Sequence, residues 1–267
     1  MSLTEQDQSA AYYDQLAARY DDELMATAAD VLARRAFIDI VTSELPKGAT
    51  ILDFGSGTGL DAKVYAEAGY RVLVYDNSAG MMAQLRRRCS CEIESGAVQM
   101  ADGTASLAEA LTHWPRPDAV VANFAVLNMI DDLAPLLQLM ARRLSPRGLL
   151  VVSVINPRYW KHLATWRWWR GMGRRVRGLR PHYLTTHFTS YLHSLPSLLR
   201  AAADFELIGT ATAGRLVRYD VGPGSAPRYW NDLPGGGVLR RVKRLLWHSP
   251  VAPSLGTFTF LVLRARH

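Results

Sequence analysis

The stretch Asp53-Phe54-Gly55-Ser56-Gly57-Thr58-Gly59 constrains this chain more than any other. It follows a short apolar run, Thr50–Phe54, and leads into a helical pattern at Ala62–Ala68. Glycines at alternate positions permit a sharp backbone turn and the close approach of a ligand. The N–H groups that open the following helix have no partners inside it and can serve that ligand. Strand, Gly-rich turn and helix in this order belong to nucleotide-binding α/β sheets. A dinucleotide fingerprint wants G-x-G-x-x-G, and its third glycine position here is Leu60. Asp53 sits two residues before the first glycine. A carboxylate there suits an ammonium group better than a pyrophosphate.

The rest of the first half repeats the alternation. Apolar runs at Arg71–Tyr75, Ala119–Asn123 and Leu149–Ile155, and a weaker one at Ala97–Met100, are separated by helical patterns at Met81–Arg88 and Leu133–Leu144. Strands without polar alternation predict a parallel sheet covered on both faces. Ala11–Thr42 reads as one or two helices before the first strand. Leu195–Ala203 reads as a helix, Phe205–Thr212 as a strand and Thr257–Arg264 as the closing strand. The expected fold class is α/β: a Rossmann-like, seven-stranded, mostly parallel sheet with helices on both faces, plus a basic Trp/Arg-rich cap insertion. One domain over residues 1–267 is expected, with insertions at about 156–192 (the cap) and 214–256. The second insertion holds a Gly/Pro-rich loop, Gly222–Gly237, and a basic amphipathic helix candidate, Val238–Trp247.

Polar residues fall where successive strands end. Asp76 closes the second strand, Asp102-Gly103 follows the third, and Asn123-Phe124 closes the fourth. Open α/β sheets bind ligands at these carboxyl ends. An acid at the end of the second strand can accept from both hydroxyls of a ribose, and Asp102 could accept from an adenine amino group. Both acids also have a simpler use, since Asp before Asn-Ser or before Gly makes turns. Near the N-terminus runs Tyr13-Asp14-Gln15-Leu16-Ala17-Ala18-Arg19-Tyr20-Asp21. Its two tyrosines share a helical face and could equally be core.

Taken together, these motifs resemble the class I S-adenosylmethionine-dependent methyltransferases of the small-molecule type. The resemblance covers roughly Tyr12–Ile155 and returns at Phe205–Ile208. It implies S-adenosylmethionine as cofactor and S-adenosylhomocysteine as product. By the resemblance, Asp53, Gly55, Gly57 and Gly59 line the methionine and ribose parts, and Asp76 takes the ribose hydroxyls. Asp102 meets the adenine, Asn123 lies on the sulfonium side, and Tyr13 or Tyr20 lies over the methionine. Ser56, Asn77, Met81, Gly103 and Phe124 complete the implied cofactor contacts. Relatives that methylate exocyclic or amide nitrogens end the fourth strand with Asn or Asp before Pro-Pro-Tyr/Phe. Asn123-Phe124-Ala125-Val126 lacks those prolines, which disfavours that class. The implied activity is methyl transfer to a small metabolite, a reaction that depends on alignment more than on a base. A SAM-binding partner protein without catalysis is the alternative from another class.

Charge and aromatics bear on the acceptor. The formal net charge is +7. From Leu133 to Ala203 there are twelve Lys and Arg and no Asp or Glu, with Trp160, Trp166, Trp168 and Trp169 among them. Four readings stay open: a cap gripping an anionic, partly apolar acceptor; a membrane-interface surface that collects a lipophilic one, as a lipid or quinone methyltransferase would; an RNA surface, the least favoured; or packed tryptophans with solvated arginines. His187 is the candidate general base, because its segment should return towards the sheet's ligand edge. No spacing suggests a metal site, and nothing sets an oligomeric state. Cys89 and Cys91 are expected as reduced thiols, and Met1–Ala10 does not resemble a signal peptide. A cytoplasmic location is therefore expected.

Overall fold

A computed structural model describes residues 5–25, 28–101, 106–157, 159, 164–173, 182–184, 188–214, 217–221, 228–230 and 256–267. Three helices come first: α1 (Glu5–Leu16), α2 (Tyr20–Met25) and α3 (Ala28–Glu44). Four β–α steps and a fifth strand follow. They run β1 (Thr50–Phe54), α4 (Leu60–Glu67), β2 (Arg71–Tyr75), α5 (Ala79–Arg88), α6 (Ser90–Glu94), β3 (Val98–Met100), α7 (Leu107–His113), β4 (Ala119–Ala122), α8 (Ala134–Arg143) and β5 (Leu149–Ile155). A single 3-10 turn, Val126–Met129, lies between β4 and α8. After β5 come α9 (Trp166–Met172), the strands β6 (His182–Leu184) and β7 (Thr189–Tyr191), and α10 (Leu195–Ala201). The chain closes with β8 (Phe205–Gly214), β9 (Val217–Val221), β10 (Arg228–Trp230) and β11 (Gly256–Ala265).

The main sheet has the order β10-β9-β8-β11-β5-β4-β1-β2-β3. The seven expected strands form its body, parallel from β3 to β5, with β11 antiparallel to both β5 and β8. Two further strands, β9 and β10, extend the β8 edge. They lie in the segment expected as an insertion, and β10 interrupts the Gly/Pro-rich stretch expected as a loop. β6 and β7 pair separately as an antiparallel hairpin. Of the first insertion, 156–157, 159, 164–173, 182–184 and 188–192 are described, whereas the basic helix candidate Val238–Trp247 lies outside the described residues.

Side chains alternate between two buried layers, as the period of two demands. Ile51, Val72, Val74, Val121 and Val151 pack under α3, α4 and α5 with Phe37, Tyr65 and Leu85. Leu52, Leu73, Val120, Leu150 and Val152 face the other way, onto Leu111, Leu137, Met140 and Leu198 of α7, α8 and α10. Phe37 meets Phe260 edge-on at 5.5 Å, which locks α3 to β11. Strand order reverses at β1, with β2 on one side and β4 on the other. Such a reversal opens a crevice beyond the strands' carboxyl ends, and Asp53, Asp76, Asn123 and Phe124 stand at that edge.

Candidate functional site

The Gly-rich turn is tied down from two sides. The N–H groups of Gly55 and Ser56 donate to the Tyr75 carbonyl at 2.8 and 3.2 Å. Asp76 accepts from the Gly57 N–H and the Ser78 N–H, both at 2.9 Å. Gly55 has φ 75°, and a Cβ there would come within 2.5 Å of the Val126 side chain. Only glycine lets the turn after β1 lie against the turn after β4.

Beyond these ends lies a cavity of about 410 Å³, within the range of small-molecule sites. Tyr13, Tyr20, Asp53, Gly55, Ser56 and Gly57 line it, and so do Asp76, Asn77, Met81, Asn123 and Phe124. Eleven residues singled out in the sequence thus come together. Gly59 does not join them. It has φ 80°, and a Cβ there would stand 2.7 Å from Leu85 Cγ, so it serves the close packing of α4 on α5. Asp102, Gly103 and His187 lie outside the described residues.

The electrostatics are unusual for a protein with excess cations. Asp53 is 2% exposed, and its Oδ2 has no hydrogen-bond partner among the described residues. Burial pushes its pKa well above the ordinary carboxylate value; the charges of Asp61 and Asp76 add to this, and Arg34 opposes it. Asp76 is also raised, chiefly by burial, against the hydrogen bonds from Ser78 and Gly57. Burial likewise lifts the phenols of Tyr13 and Tyr20, so both stay protonated and can donate. A cationic or hydroxyl-bearing ligand would relieve the two acids.

The N-terminal motif divides its labour by face. Tyr13 and Tyr20 turn inward, with ring centroids 6.0 Å apart. Asp14 turns to α5, accepting from Ser78 Oγ at 2.6 Å and the Gly80 N–H at 2.8 Å. Asp21 accepts from Thr58 Oγ1 at 2.5 Å and pairs with Arg88, whose Nε donates to the Thr58 carbonyl at 3.0 Å. The tyrosines therefore roof the cavity while the acids bolt the roof to the Gly-rich turn and to α5. Phe188, just before β7, meets Tyr12 at 5.4 Å and Tyr13 at 5.7 Å and completes an aromatic rim.

Arg34 and Asp61 are among the lining residues that the sequence did not single out. Arg34 of α3 donates from Nε to Asp61 Oδ1 in the first turn of α4. Asp61 Oδ2 accepts from Asn123 Nδ2 at 2.9 Å, and Asn123 Oδ1 accepts from the Phe124 N–H at 2.8 Å. This chain ends on a left-handed turn, φ 49° at Phe124 and 64° at Ala125, also held by Ser153 Oγ. Non-glycine residues adopt that region only when their surroundings impose it. The turn presents Phe124 to the cavity, edge-on to Phe258 at 5.6 Å. Arg34 keeps a buried Nη2 without a partner among the described residues.

Residues 19–208 match a family model described as a methyltransferase domain. The chain belongs to this methyltransferase family. Among relatives of the methyltransferase, the trans-aconitate 2-methyltransferase of Methylobacterium nodulans is 34% identical over 140 residues, 51% of this chain and 46% of that protein. A demethylmenaquinone methyltransferase of Beutenbergia cavernae is 31% identical over 157 residues, 57% of this chain and 59% of its own. The chain thus spans about half the length of these curated relatives. Among solved structures, magnesium protoporphyrin IX methyltransferase from Synechocystis, with S-adenosylhomocysteine bound, superposes with a TM-score of 0.59 at 13% identity, over 98% of this chain and 99% of that one. The 1,6-didemethyltoxoflavin-N1-methyltransferase of Burkholderia thailandensis gives 0.56 at 16% identity over 100% and 92%. At such identities the likeness speaks for the fold, which is that of the class I enzymes. Among the described residues, no helix is long and apolar enough to cross a membrane, and no group of three or more His, Cys, Asp or Glu could hold a metal.

Proposed function

We propose that this methyltransferase binds S-adenosylmethionine at the carboxyl ends of β1, β2 and β4 and passes its methyl group to a small lipophilic or aromatic acceptor. The observation that carries the reading is Asp53: a buried carboxylate oxygen without a partner, at the Gly-rich turn and in line with Asp76. That oxygen fits an amino group of the ligand, which brings both the hydrogen bond and the positive charge the acid lacks. Asp76 has one lone pair on each oxygen engaged by backbone N–H groups and can accept ribose hydroxyls with the remainder. Arg34 Nη2 can donate to the ligand's carboxylate. Asn77 and Met81 stand beside Asp76 along the same wall. By the family resemblance, Asp102 and Gly103 would serve the adenine.

When bound, the cofactor supplies a methyl group on a positively charged sulfur, a good leaving group. What the protein adds is alignment and a dry cavity. Protonated Tyr13 and Tyr20 roof the site and exclude water, and the braced turn after β4 fixes Phe124. Among the described lining residues the charged groups are Arg34, Asp53, Asp61, Asp76 and Asp132, with Arg34 already paired to Asp61. Such a wall disfavours a polyanionic acceptor. Val126, Met129, Ile130 and Leu136, with the rim of Tyr12, Tyr13 and Phe188, favour a flat, apolar one. In character that is nearer the quinone-pathway relatives than the trans-aconitate enzyme. His187, which precedes Phe188 in the sequence and lies outside the described residues, is the base to be tested.

Calorimetric titration with S-adenosylmethionine, comparing wild type with Asp76→Ala, tests the cofactor site. The substitution should weaken binding about tenfold or more, roughly 1.4 kcal/mol. Transfer of labelled methyl to hydroquinones and phenols, with polycarboxylates as the contrast, tests the acceptor. No heat from wild type would sink the reading.

A further inference from the structure

None of the basic residues of the 156–192 segment is among the described residues that line the cavity, and the Trp/Arg helix α9 presents a surface of its own. We propose that α9 docks the protein on an anionic lipid surface through Trp166, Trp169 and Arg170. Trp166 is 77% exposed and Trp169 55% exposed, the two most exposed large hydrophobic side chains among the described residues. Spaced three apart on a helix, they share a face, and Arg170, also exposed, lies four residues from Trp166 on that same face. Bulky rings left in water on one face mark an interaction surface.

Their exposure is built in. Trp168, between them in sequence, is 6% exposed, and its ring meets that of Trp169 edge-on at 4.8 Å. The buried ring anchors the helix, so the outward face cannot roll inward without losing that anchor. Charge selects the partner. The surrounding stretch, Leu133–Ala203, carries twelve Lys and Arg and no acid, so sequence neighbours of the face bring only positive charge. Tryptophan prefers the headgroup level of a bilayer, and cations beside it are drawn to anionic lipid. Single-stranded RNA also meets aromatics and cations, but it is held by a groove of cations that tracks its phosphates. In α9 three Trp outnumber two Arg, which favours lipid.

Position gives the surface a purpose. α9 packs on β6, β6 pairs with β7, and Phe188, just before β7, sits on the aromatic rim of the cavity. A bilayer touching α9 would lie near the mouth through which a lipophilic acceptor enters. The docking stands independently of the transfer chemistry; only its purpose rests on the proposed acceptor.

The test is co-sedimentation of the full chain with vesicles of phosphatidylglycerol and phosphatidylcholine, against phosphatidylcholine alone, with brominated phosphatidylcholine to quench tryptophan. Wild type should bind the anionic vesicles and be quenched. Trp166→Ser/Trp169→Ser should bind roughly tenfold more weakly or worse, since affinity scales with the apolar area inserted. Arg170→Glu, which keeps the rings, should also bind more weakly. Both variants should take up S-adenosylmethionine as wild type does. Wild type that ignores anionic vesicles, or a double variant that binds them as tightly as wild type, overturns the proposal. Binding of oligouridylate without binding of vesicles also overturns it and assigns the surface to nucleic acid. Loss of cofactor binding with vesicle binding intact would count against the cofactor site alone.

Discussion

Asp53→Asn should make the free protein more stable and the cofactor complex weaker, two effects of opposite sign from one atom. The carboxyl is 2% exposed with Oδ2 unpartnered among the described residues, and burial, Asp61 and Asp76 raise its pKa well above the ordinary value. In the unfolded chain an aspartate loses its proton near pH ~3.9. The native state therefore holds the proton to higher pH than the unfolded state does. Over that window native protein binds more protons, so stability falls as pH rises from the unfolded to the folded pKa, and the loss is complete above it. Asparagine carries no charge and no such loss. The melting temperature of free Asp53→Asn should exceed that of wild type at neutral pH, and the two should converge below about pH 4.

Binding moves the other way. A hydrogen bond between charged groups contributes about 1.5–3 kcal/mol, so the variant should bind S-adenosylmethionine roughly 10- to 150-fold more weakly. Wild-type affinity should also fall about tenfold per pH unit below the folded pKa of Asp53, because one proton must leave before the amino group can bind. Asp53→Asn should lose that slope. Titration calorimetry across about pH 5–8, in buffers of different ionisation enthalpy, reads affinity and proton release together. A variant with a lower melting temperature and unchanged affinity would refute the reasoning and make Asp53 a structural residue.

Three further outcomes follow from the same contacts. Arg34→Met leaves Asp61 and Asp53 without their buried counter-charge and should cost about 3–5 kcal/mol in urea unfolding, most of which Arg34→Met/Asp61→Leu should restore. Gly59→Ala places a Cβ against Leu85 at positive φ and should cost roughly 1–3 kcal/mol in the same assay, with cofactor affinity unchanged because Gly59 lies off the cavity wall. Asp14→Ala removes the tie between α1 and α5 and should lower stability by about 1 kcal/mol. It should also speed cofactor release in stopped flow, since α1 carries Tyr13 over the site.

The legible part of this protein is the part whose signal is local. β5 begins and ends at the residues expected, because Leu149–Ile155 is a run apolar at every position but Ser153, bounded by Gly148 and Asn156. The Gly-rich turn, Asp76 and Asn123 come together at the cavity because each stands at a strand end, where open α/β sheets have their crevice. Arg34 and Asp61 were not legible. Arg34 adjoins Arg35 in α3 and looks like solvent-facing charge, while Asp61 looks like an ordinary acid in the first turn of a helix. Their meeting across 27 residues comes from how α3 packs on α4, which no periodicity in either segment announces. β9 and β10 were missed for a related reason: pairing at the β8 edge overrides a Gly- and Pro-rich composition that locally reads as loop. Gly59 was misplaced because the motif signals a glycine and not its cause. Gly55 answers to Val126, Gly59 to Leu85, and only the first of them lies on the cavity.

The N-terminal tyrosine-aspartate pattern shows how one short motif can serve two ends. Tyr13 and Tyr20 are seven residues apart and reach the same face despite the break between α1 and α2. The acids that follow each tyrosine point about 100° further round a helix, away from the cavity. Asp14 there meets the first turn of α5, and Asp21 meets Thr58 and Arg88. Tyrosine alone would cover the ligand but leave α1 and α2 free to swing. Aspartate alone would fasten the helices over an open site. Because each roof residue sits beside its own fastener, loosening either acid should act on cofactor release before it acts on the chemistry. That ordering separates this account from one in which the acids touch the cofactor.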